Sequence, residues 1–178
     1  MQGTIVRKAT KSGFEYSVSF DKGIIGTYSY FSFRRPVAVF RDGVEVLSMK
    51  FSFFGGGRLF FCGQEAARLK RGWWGKPYTV SWNGHDFEMR LHMGNRFSLT
   101  MDGTQIALYR KMGGTLMGSN HYKLLFSESA SDMQEFLLLL CMFIDTRYYT
   151  HRASWAVYRR EGTIVFWDTH TEFAEWKP

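Results

Sequence analysis

The chain has 178 residues, of which 45% are apolar, so it can form one packed domain, and this composition excludes wholesale disorder. Its aromatic fraction of 18%, with 18 Gly and only 3 Pro, favours strands joined by turns. A formal net charge of +7 favours anionic partners such as phospholipid surfaces or nucleic acid. Two cysteines, Cys62 and Cys141, are too few for the disulfide framework of a small secreted domain. Because no charged segment followed by an apolar one stands at the N-terminus, we expect a cytoplasmic protein, with peripheral membrane attachment as the alternative.

Two alternating segments come first along the chain. Residues 14–20 alternate apolar and polar side chains, and residues 28–33 alternate again after a turn at Asp21-Lys22-Gly23. A period of two predicts a strand with one buried face. In the first segment this face consists of Phe14, Tyr16, Val18 and Phe20.

Three dipeptides then predict hairpins, because Asp-Gly and Asn-Gly suit the tight turn between antiparallel strands. They are Asp42-Gly43, Asn83-Gly84 and Asp102-Gly103. The strands predicted around them are 37–40 with 44–53, 78–82 with 85–91, and 97–101 with 104–111. With one further strand at 122–126, they form a meander, which closes into a barrel or folds into a sandwich.

One segment has a different pattern. Nine apolar residues follow one another from Phe136 to Ile144, and at about 3.6 residues per turn they cover every face of a helix. Such a helix must be enclosed on all sides. It is too short for the roughly 20 residues that a bilayer requires. Ser131 and Gln134 have the spacing of a capping box at its start.

Two stretches carry a family resemblance. Residues 97–107, Phe97 to Ala107, read as a strand, an Asp-Gly turn and a strand, and residues 132–145 read as an apolar helix that ends at Asp145. In these stretches the chain resembles the tubby C-terminal-like superfamily, especially its LURP-one-related type, whose relatives include phospholipid scramblases. The resemblance spans residues 35–149. It implies a closed barrel around a late core helix, and association with phosphoinositide or membranes.

The predicted fold class is therefore mainly β, an antiparallel closed barrel of about 12 strands that encloses one hydrophobic α-helix near the C-terminus. We expect one tubby-like domain over residues 1–178. Residues 131–149 are the predicted central helix. Residues 150–178 are predicted as a C-terminal hairpin and tail, with strands at 153–159 and 163–167 that either complete the barrel or decorate it.

The most informative candidate site is the segment 66–78, which contains no acidic residue. Lys and Arg side chains favour an anionic bilayer surface, and Trp settles at the headgroup level. The segment therefore predicts a phospholipid contact; alternatively, one Trp closes the end of the barrel and the charges are simply solvated. The predicted lipid- or anion-binding residues of this segment are Arg68, Lys70, Arg71, Trp73, Trp74 and Lys76.

Further basic pairs stand at predicted strand ends. Arg34-Arg35 completes the predicted lipid- or anion-binding set, and Arg110-Lys111 and Arg159-Arg160 are similar. Charges at strand ends are ordinary. If several pairs converge in space, they form an anion pocket of the kind that the family resemblance implies for phosphoinositide headgroups.

Other patterns give little support to catalysis. Asp168, His170 and Glu172 alternate, which suits a metal or an acid–base site but also an exposed terminal strand. Gly55-Gly56-Gly57-Arg58 lacks the Gly-Lys-Ser/Thr ending of a phosphate loop and is interpreted as a strand connection. We therefore expect no catalytic residue, no metal site and no cofactor.

The leading functional hypothesis is a non-enzymatic, tubby-like domain that binds anionic phospholipid or phosphoinositide headgroups, or a membrane-associated protein for which it acts as an adaptor. Two other classes stay open. One is a barrel that carries a small apolar ligand in its interior. The other, less favoured, is a nucleic-acid-binding module that uses basic and aromatic side chains.

Overall fold

A computed structural model describes residues 1–32, 36–52, 56–71, 77–92, 95–112 and 120–150, with side chains described for all of these except 120 and 148–150. Twelve strands precede one helical region. The strands are β1 Gln2–Thr10, β2 Gly13–Val18, β3 Ile24–Ser29, β4 Val37–Arg41, β5 Val44–Phe51, β6 Gly57–Phe61, β7 Gln64–Leu69, β8 Tyr78–Trp82, β9 His85–His92, β10 Arg96–Met101, β11 Thr104–Lys111 and β12 Asn120–Phe126.

The strands form a single antiparallel sheet in the order β7-β6-β5-β4-β3-β2-β1-β12-β11-β10-β9-β8. The sheet curls until its two edge strands meet. There Lys70 and Thr79 exchange both backbone hydrogen bonds, with N···O distances of 2.8 and 3.0 Å. The result is a nearly closed barrel of twelve strands, which confirms the predicted fold class.

The barrel encloses helix α1, Gln134–Ile144. Each residue of the apolar run 136–144 is at most 1% exposed, so the helix has no face toward water, as predicted. Strands around the barrel contact it. Its Phe136 ring lies 4.6 Å from the ring of Trp82 on β8, and the Tyr109 hydroxyl on β11 donates to the carbonyl of Leu137 at 2.9 Å.

The helix begins differently from the prediction. A 3-10 helix, Glu128–Met133, precedes α1, and a π-helical segment, Asp145–Thr150, follows it, so the predicted span 131–149 takes in parts of three helical segments. The predicted capping box is wrong. Ser131 lies inside the 3-10 helix, whereas a capping residue must be extended, and no side chain caps the start of α1.

The three hairpins predicted from Asp-Gly and Asn-Gly are confirmed, with both turn residues at positive φ in each case. A fourth hairpin of the same kind joins β6 to β7 through Cys62 and Gly63, at φ 45 and 84°. Sequence reasoning missed it because cysteine is not a usual residue for this conformation. Because strand β7 of this hairpin extends into the segment 66–78, part of that segment is buried. Ala67 and Leu69 on β7 face the core. Gly57-Arg58, predicted as part of a connection, begins β6.

One strand, β3, lies at a different position from the prediction, and another, β1, was not predicted at all. In both strands, at least one residue that faces the core has no apolar side chain. The strand predicted at 28–33 is β3, Ile24–Ser29. Its middle inward residue is Gly26, where a Cβ would lie 2.3 Å from the sulfur of Met142 on α1. Strand β1 was not predicted because its inward residues are Gly3, Ile5 and Arg7. The predicted C-terminal hairpin lies outside the described residues.

The antiparallel order gives the barrel two different ends. At one, which we call the hairpin end, the connections are the two-residue turns 42–43, 62–63, 83–84 and 102–103, and the segment 19–23. At the other, the loop end, strand ends are joined by the segments 11–12, 30–36, 52–56, 70–77, 93–95 and 112–119. Helix α1 begins near the hairpin end and finishes near the loop end, since Phe143 lies 5.3 Å from Tyr78, the first residue of β8.

Candidate anion-binding surface at the loop end

The charge of the chain is distributed unevenly between the two ends. The six loop-end connections, extended by two residues on each side, contain no Asp or Glu. The same stretches hold twelve of the 23 Lys and Arg residues. These twelve are Lys11, Arg34, Arg35, Lys50, Arg58, Arg68, Lys70, Arg71, Lys76, Arg96, Arg110 and Lys111.

The same connections are rich in aromatic residues. The segments 30–36, 52–56 and 70–77 contain Tyr30, Phe31, Phe33, Phe53, Phe54, Trp73 and Trp74. A set of Lys, Arg and aromatic residues without any carboxylate is the composition of a protein surface that meets an anionic interface.

Three of the eight residues predicted to bind lipid or anions are described. Arg68, Lys70 and Arg71 are exposed. The other five, Arg34, Arg35, Trp73, Trp74 and Lys76, lie outside the described residues. The strand ends on either side of them, Ser29 and Val37 for the first pair and Leu69 and Tyr78 for the rest, belong to the same end of the barrel. Both predicted groups therefore fall within connections of the loop end.

Cross-strand register adds two basic residues that sequence reasoning missed. Lys50 on β5 lies opposite Arg58 on β6, and Arg58 lies opposite Arg68 on β7. Nothing in the local sequence groups them, since only strand pairing makes them neighbours. We call these three residues the β5–β7 basic row. Like charges at directly opposed positions of a sheet repel one another, so a bound anion would relieve the repulsion within this row.

One carboxylate partly neutralises the β5–β7 basic row. Glu65 accepts a hydrogen bond from Arg68 Nε at 2.8 Å, and its other oxygen lies 3.6 Å from Arg58 Nη1. The hydrogen bond from Arg68, with the charges of both arginines, lowers the pKa of Glu65, while its slight desolvation acts in the opposite direction. The row therefore keeps a net positive charge.

A second row crosses β10, β11 and β12. Arg96 lies opposite Arg110, and Arg110 lies opposite Lys123. The predicted pair Arg110-Lys111 thus has two basic neighbours from other strands. Arg110 and Lys123 are exposed and Arg96 is half-buried.

The hairpin end has the opposite character. In or beside its turns lie Asp21, Asp42, Glu45, Asp86 and Asp102. The pKa of Asp102 is lowered first by a hydrogen bond from the backbone N–H of Asp86 and then by His85. These acidic residues outnumber the basic residues Lys22 and Arg41 of the same end, so the barrel has a more positive and a more negative end. Such a molecule is oriented by an anionic surface before contact.

A second polar group lies inside the barrel, beneath the loop end. Asp145, at the end of α1, accepts hydrogen bonds from Arg7 Nη1 at 2.9 Å, from the Tyr16 hydroxyl at 2.6 Å and from the Tyr122 hydroxyl. All four residues are at most 1% exposed. Burial is the largest of the causes that raise the pKa of both tyrosines, so their hydroxyls stay protonated and donate.

Through these buried hydrogen bonds, the end of the helix is joined to three strands, β1, β2 and β12. The Asp145 carboxylate is fully buried, and its described partners leave no side of it exposed to a substrate. The one signal of it in the sequence was an acidic residue directly after the apolar run.

Within the described ranges, no three His, Cys, Asp or Glu residues are grouped so that they could hold a metal ion. The alternating Asp168, His170 and Glu172 lie outside those ranges. Among the helices that the structure describes, none has both the length and the hydrophobicity to cross a membrane. No family model, curated protein or solved structure matches this chain.

Proposed function

We propose that this chain is a non-enzymatic, tubby-like barrel that binds anionic phospholipid, phosphoinositides included, with its loop end. The observation that carries the proposal is the composition of that end: six connections and their flanks without a carboxylate, with twelve Lys and Arg residues. The family resemblance of residues 97–107 and 132–145 agrees with it.

The physical basis is additive. Each Lys or Arg held near an anionic bilayer contributes on the order of 1 kcal/mol. Aromatic side chains add affinity because they partition to the headgroup region. Three or four simultaneous contacts therefore give measurable binding. A membrane-bound partner protein with an acidic surface would use the same charges, in which case the domain is an adaptor.

The other two classes have less support. A carrier of a small apolar ligand needs space inside the barrel, whereas α1 lies there with residues 136–144 buried on every face. A nucleic-acid-binding surface shares the basic and aromatic composition of the loop end, so this class has to be separated by experiment.

The first test is co-sedimentation with vesicles. Wild-type protein should bind phosphatidylcholine vesicles that contain phosphatidylserine or phosphatidylinositol 4,5-bisphosphate, and should not bind pure phosphatidylcholine. The quadruple variant Arg68→Gln, Lys70→Gln, Arg71→Gln and Lys76→Gln should bind at least about tenfold more weakly. Binding that is absent in the wild type, or unchanged in the quadruple variant, would contradict the proposal.

A matched pair of single variants controls for net charge. Lys11 and Lys22 are both exposed and both stand in a turn, the first at the loop end and the second at the hairpin end. We expect Lys11→Gln to weaken vesicle binding and Lys22→Gln to leave it unchanged. Tighter binding to single-stranded oligonucleotides than to vesicles, with affinity that falls steeply as salt rises, would favour the nucleic-acid class.

A further inference from the structure

Two aromatic residues project from the loop end directly after β3. Tyr30 is 47% exposed and Phe31 is 76% exposed. An exposed Phe beside an exposed Tyr is costly in water, because each Å² of apolar surface left in contact with water forgoes about 25 cal/mol. Transfer of the pair into an apolar environment outside the barrel would therefore be favourable.

Tyr30 is fastened to the barrel. Its backbone N–H donates to the carbonyl of Ser12 at 3.0 Å. Its ring meets the rings of Phe14 and Tyr28 edge-on, with centroids 5.5 and 5.4 Å away. Since Phe31 follows directly, its side chain is presented from an anchored position next to the connection that carries Lys11.

The surroundings decide what kind of apolar environment fits. Met112, 56% exposed, is another apolar side chain of the loop end, and the connections around it hold basic residues and no carboxylate. The exposed apolar residues of the hairpin end include Met1, Val44 and Phe61. Val44 stands next to Glu45 on β5, and Phe61 ends β6, whose neighbouring strand β7 carries Glu65. Apolar side chains surrounded by positive charge match an anionic bilayer, whereas those of the hairpin end do not.

We propose that Phe31 inserts into the boundary between headgroups and acyl chains of an anionic bilayer, with Tyr30 at the headgroup level and the hairpin end facing the solvent. This inference rests on the proposed function and deepens it, because it assigns an inserting residue and an orientation. In this arrangement the basic rows steer and hold the protein, and Phe31 contributes affinity that salt does not screen.

The affinity test compares two exposed phenylalanines from opposite ends. Phe31→Ala should weaken binding to phosphatidylserine vesicles by about fivefold to tenfold. Phe61→Ala, at 50% exposed in the wild type, should leave it unchanged. In contrast to the lysine variants, the Phe31→Ala effect should persist at high salt, because it is apolar. Equal effects of the two variants would overturn the assignment of Phe31.

The orientation test uses the cysteines of the chain. Cys62 is exposed at a turn of the hairpin end and Cys141 is buried, so a nitroxide label on the wild type reports the hairpin end. The variant Phe31→Cys with Cys62→Ser carries the label at the loop end. On phosphatidylserine vesicles, the label at position 31 should become accessible to oxygen and protected from a water-soluble nickel complex, while the label at Cys62 stays accessible to nickel.

The outcomes separate the two proposals. If the protein does not sediment with anionic vesicles at all, the proposed function and this inference both fail. If it sediments but the label at position 31 stays accessible to nickel, insertion is overturned and electrostatic binding stands. If the label at Cys62 enters the bilayer instead, the proposed orientation is wrong.

Discussion

Asp145 is placed where a carboxylate is unfavourable, inside the barrel and at the negative end of the dipole of α1. Arg7 compensates it through an ion pair of 2.9 Å, and the Arg7 guanidinium lies 4.2 Å above the Phe14 ring. Removing one partner of such a pair leaves a buried charge without its counter-charge, which is worse than removing both. The cluster is therefore expected to be sensitive to single substitutions.

Asp145→Asn should lower the free energy of unfolding by about 3–5 kcal/mol, because it leaves the charge of Arg7 buried beside a neutral amide. Glu128→Gln is the control, since Glu128 is an exposed acidic residue of the neighbouring 3-10 helix. Urea denaturation measures both. Similar midpoints for the two variants would mean that the Arg7–Asp145 pair contributes little.

The buried tyrosines predict how stability depends on pH. Burial raises the pKa of the Tyr16, Tyr109 and Tyr122 hydroxyls well above their ordinary value of 10.0. In the unfolded chain these groups lose their protons near pH 10, whereas the folded protein keeps them. The folded state then binds more protons, so the contribution of these hydroxyls to stability is complete below pH 10 and is lost as the pH rises further.

We expect the three tyrosines together to lower the free energy of unfolding by about 4 kcal/mol per pH unit above about pH 10, or about 1.4 kcal/mol each. The Cys141 thiol, whose pKa burial raises well above 9.0, adds a similar contribution. Urea midpoints measured between about pH 8 and pH 11 test this slope. In Tyr109→Phe the slope should decrease by about 1.4 kcal/mol per pH unit. A stability that stays level up to pH 11 would show that the tyrosines ionise without unfolding.

At the scale of elements, α1 fills the interior of the barrel and its residues 136–144 are buried on every face. A helix packed on one side tolerates substitutions on its other face, whereas one enclosed on all sides has no tolerant position. Gly26 on β3 shows how tightly the barrel closes, because an added Cβ there would meet Met142 at 2.3 Å. Such packing makes each side chain of residues 136–144 part of the core.

An alanine scan tests the enclosure. Leu137, Leu138, Leu139 and Leu140 point in four directions around α1, and each is at most 1% exposed. Substitution of each by Ala should lower the free energy of unfolding by about 2–5 kcal/mol, because each creates a cavity. Urea denaturation of the four variants is the measurement. A single position with a loss well below about 1 kcal/mol would reveal a face of the helix that is not packed.

At the scale of the whole molecule, the barrel closes through few hydrogen bonds between its edge strands, β7 and β8. Eleven strand pairs are joined by continuous ladders, whereas β7 and β8 meet, in the described part of the chain, through the bridge of Lys70 and Thr79. A seam with few hydrogen bonds opens at lower free energy than the rest of the sheet. This seam also lies beside the basic segment 68–71.

Hydrogen exchange should therefore be fastest, among the strands, for the amides of β7 and β8, and slowest for β1, β2 and β12, which stand in the middle of the sheet order. Mass spectrometry of peptides from these strands gives the comparison. Equal protection of β7 and β1 would show that the barrel opens only as a whole.

The separation of charge along the barrel axis is likewise a property of the whole molecule. Lys50, Arg58 and Arg68 come from three strands and become neighbours only through register. Sequence reasoning identified Arg68, Lys70 and Arg71 as a basic cluster because they lie within four positions of one another. It could not identify Lys50 or Arg58 as members of the same cluster. The assignment of Trp73, Trp74, Lys76, Arg34 and Arg35 to a lipid-binding surface stays a prediction that vesicle binding has to test.

Some features of this protein are determined by the sequence alone. Nine consecutive apolar residues, 136–144, cover every face of a helix, because a turn takes about 3.6 residues. Such a helix has no polar face for water and must be enclosed. The dipeptides at 42–43, 83–84 and 102–103 determine tight turns, because Asp, Asn and Gly adopt the positive φ that these turns require more readily than other residues do. Both depend on near neighbours, so they could be predicted without the fold.

Other features were decided only by the tertiary structure. The Arg7–Asp145 pair joins residues 138 positions apart, and β1 pairs with β12 across more than a hundred residues. The sequence gives no local sign of such contacts, because they depend on which strands meet when the sheet closes. Strand pairing likewise brings Lys50, Arg58 and Arg68 together at the end of the barrel to which we assign the proposed function.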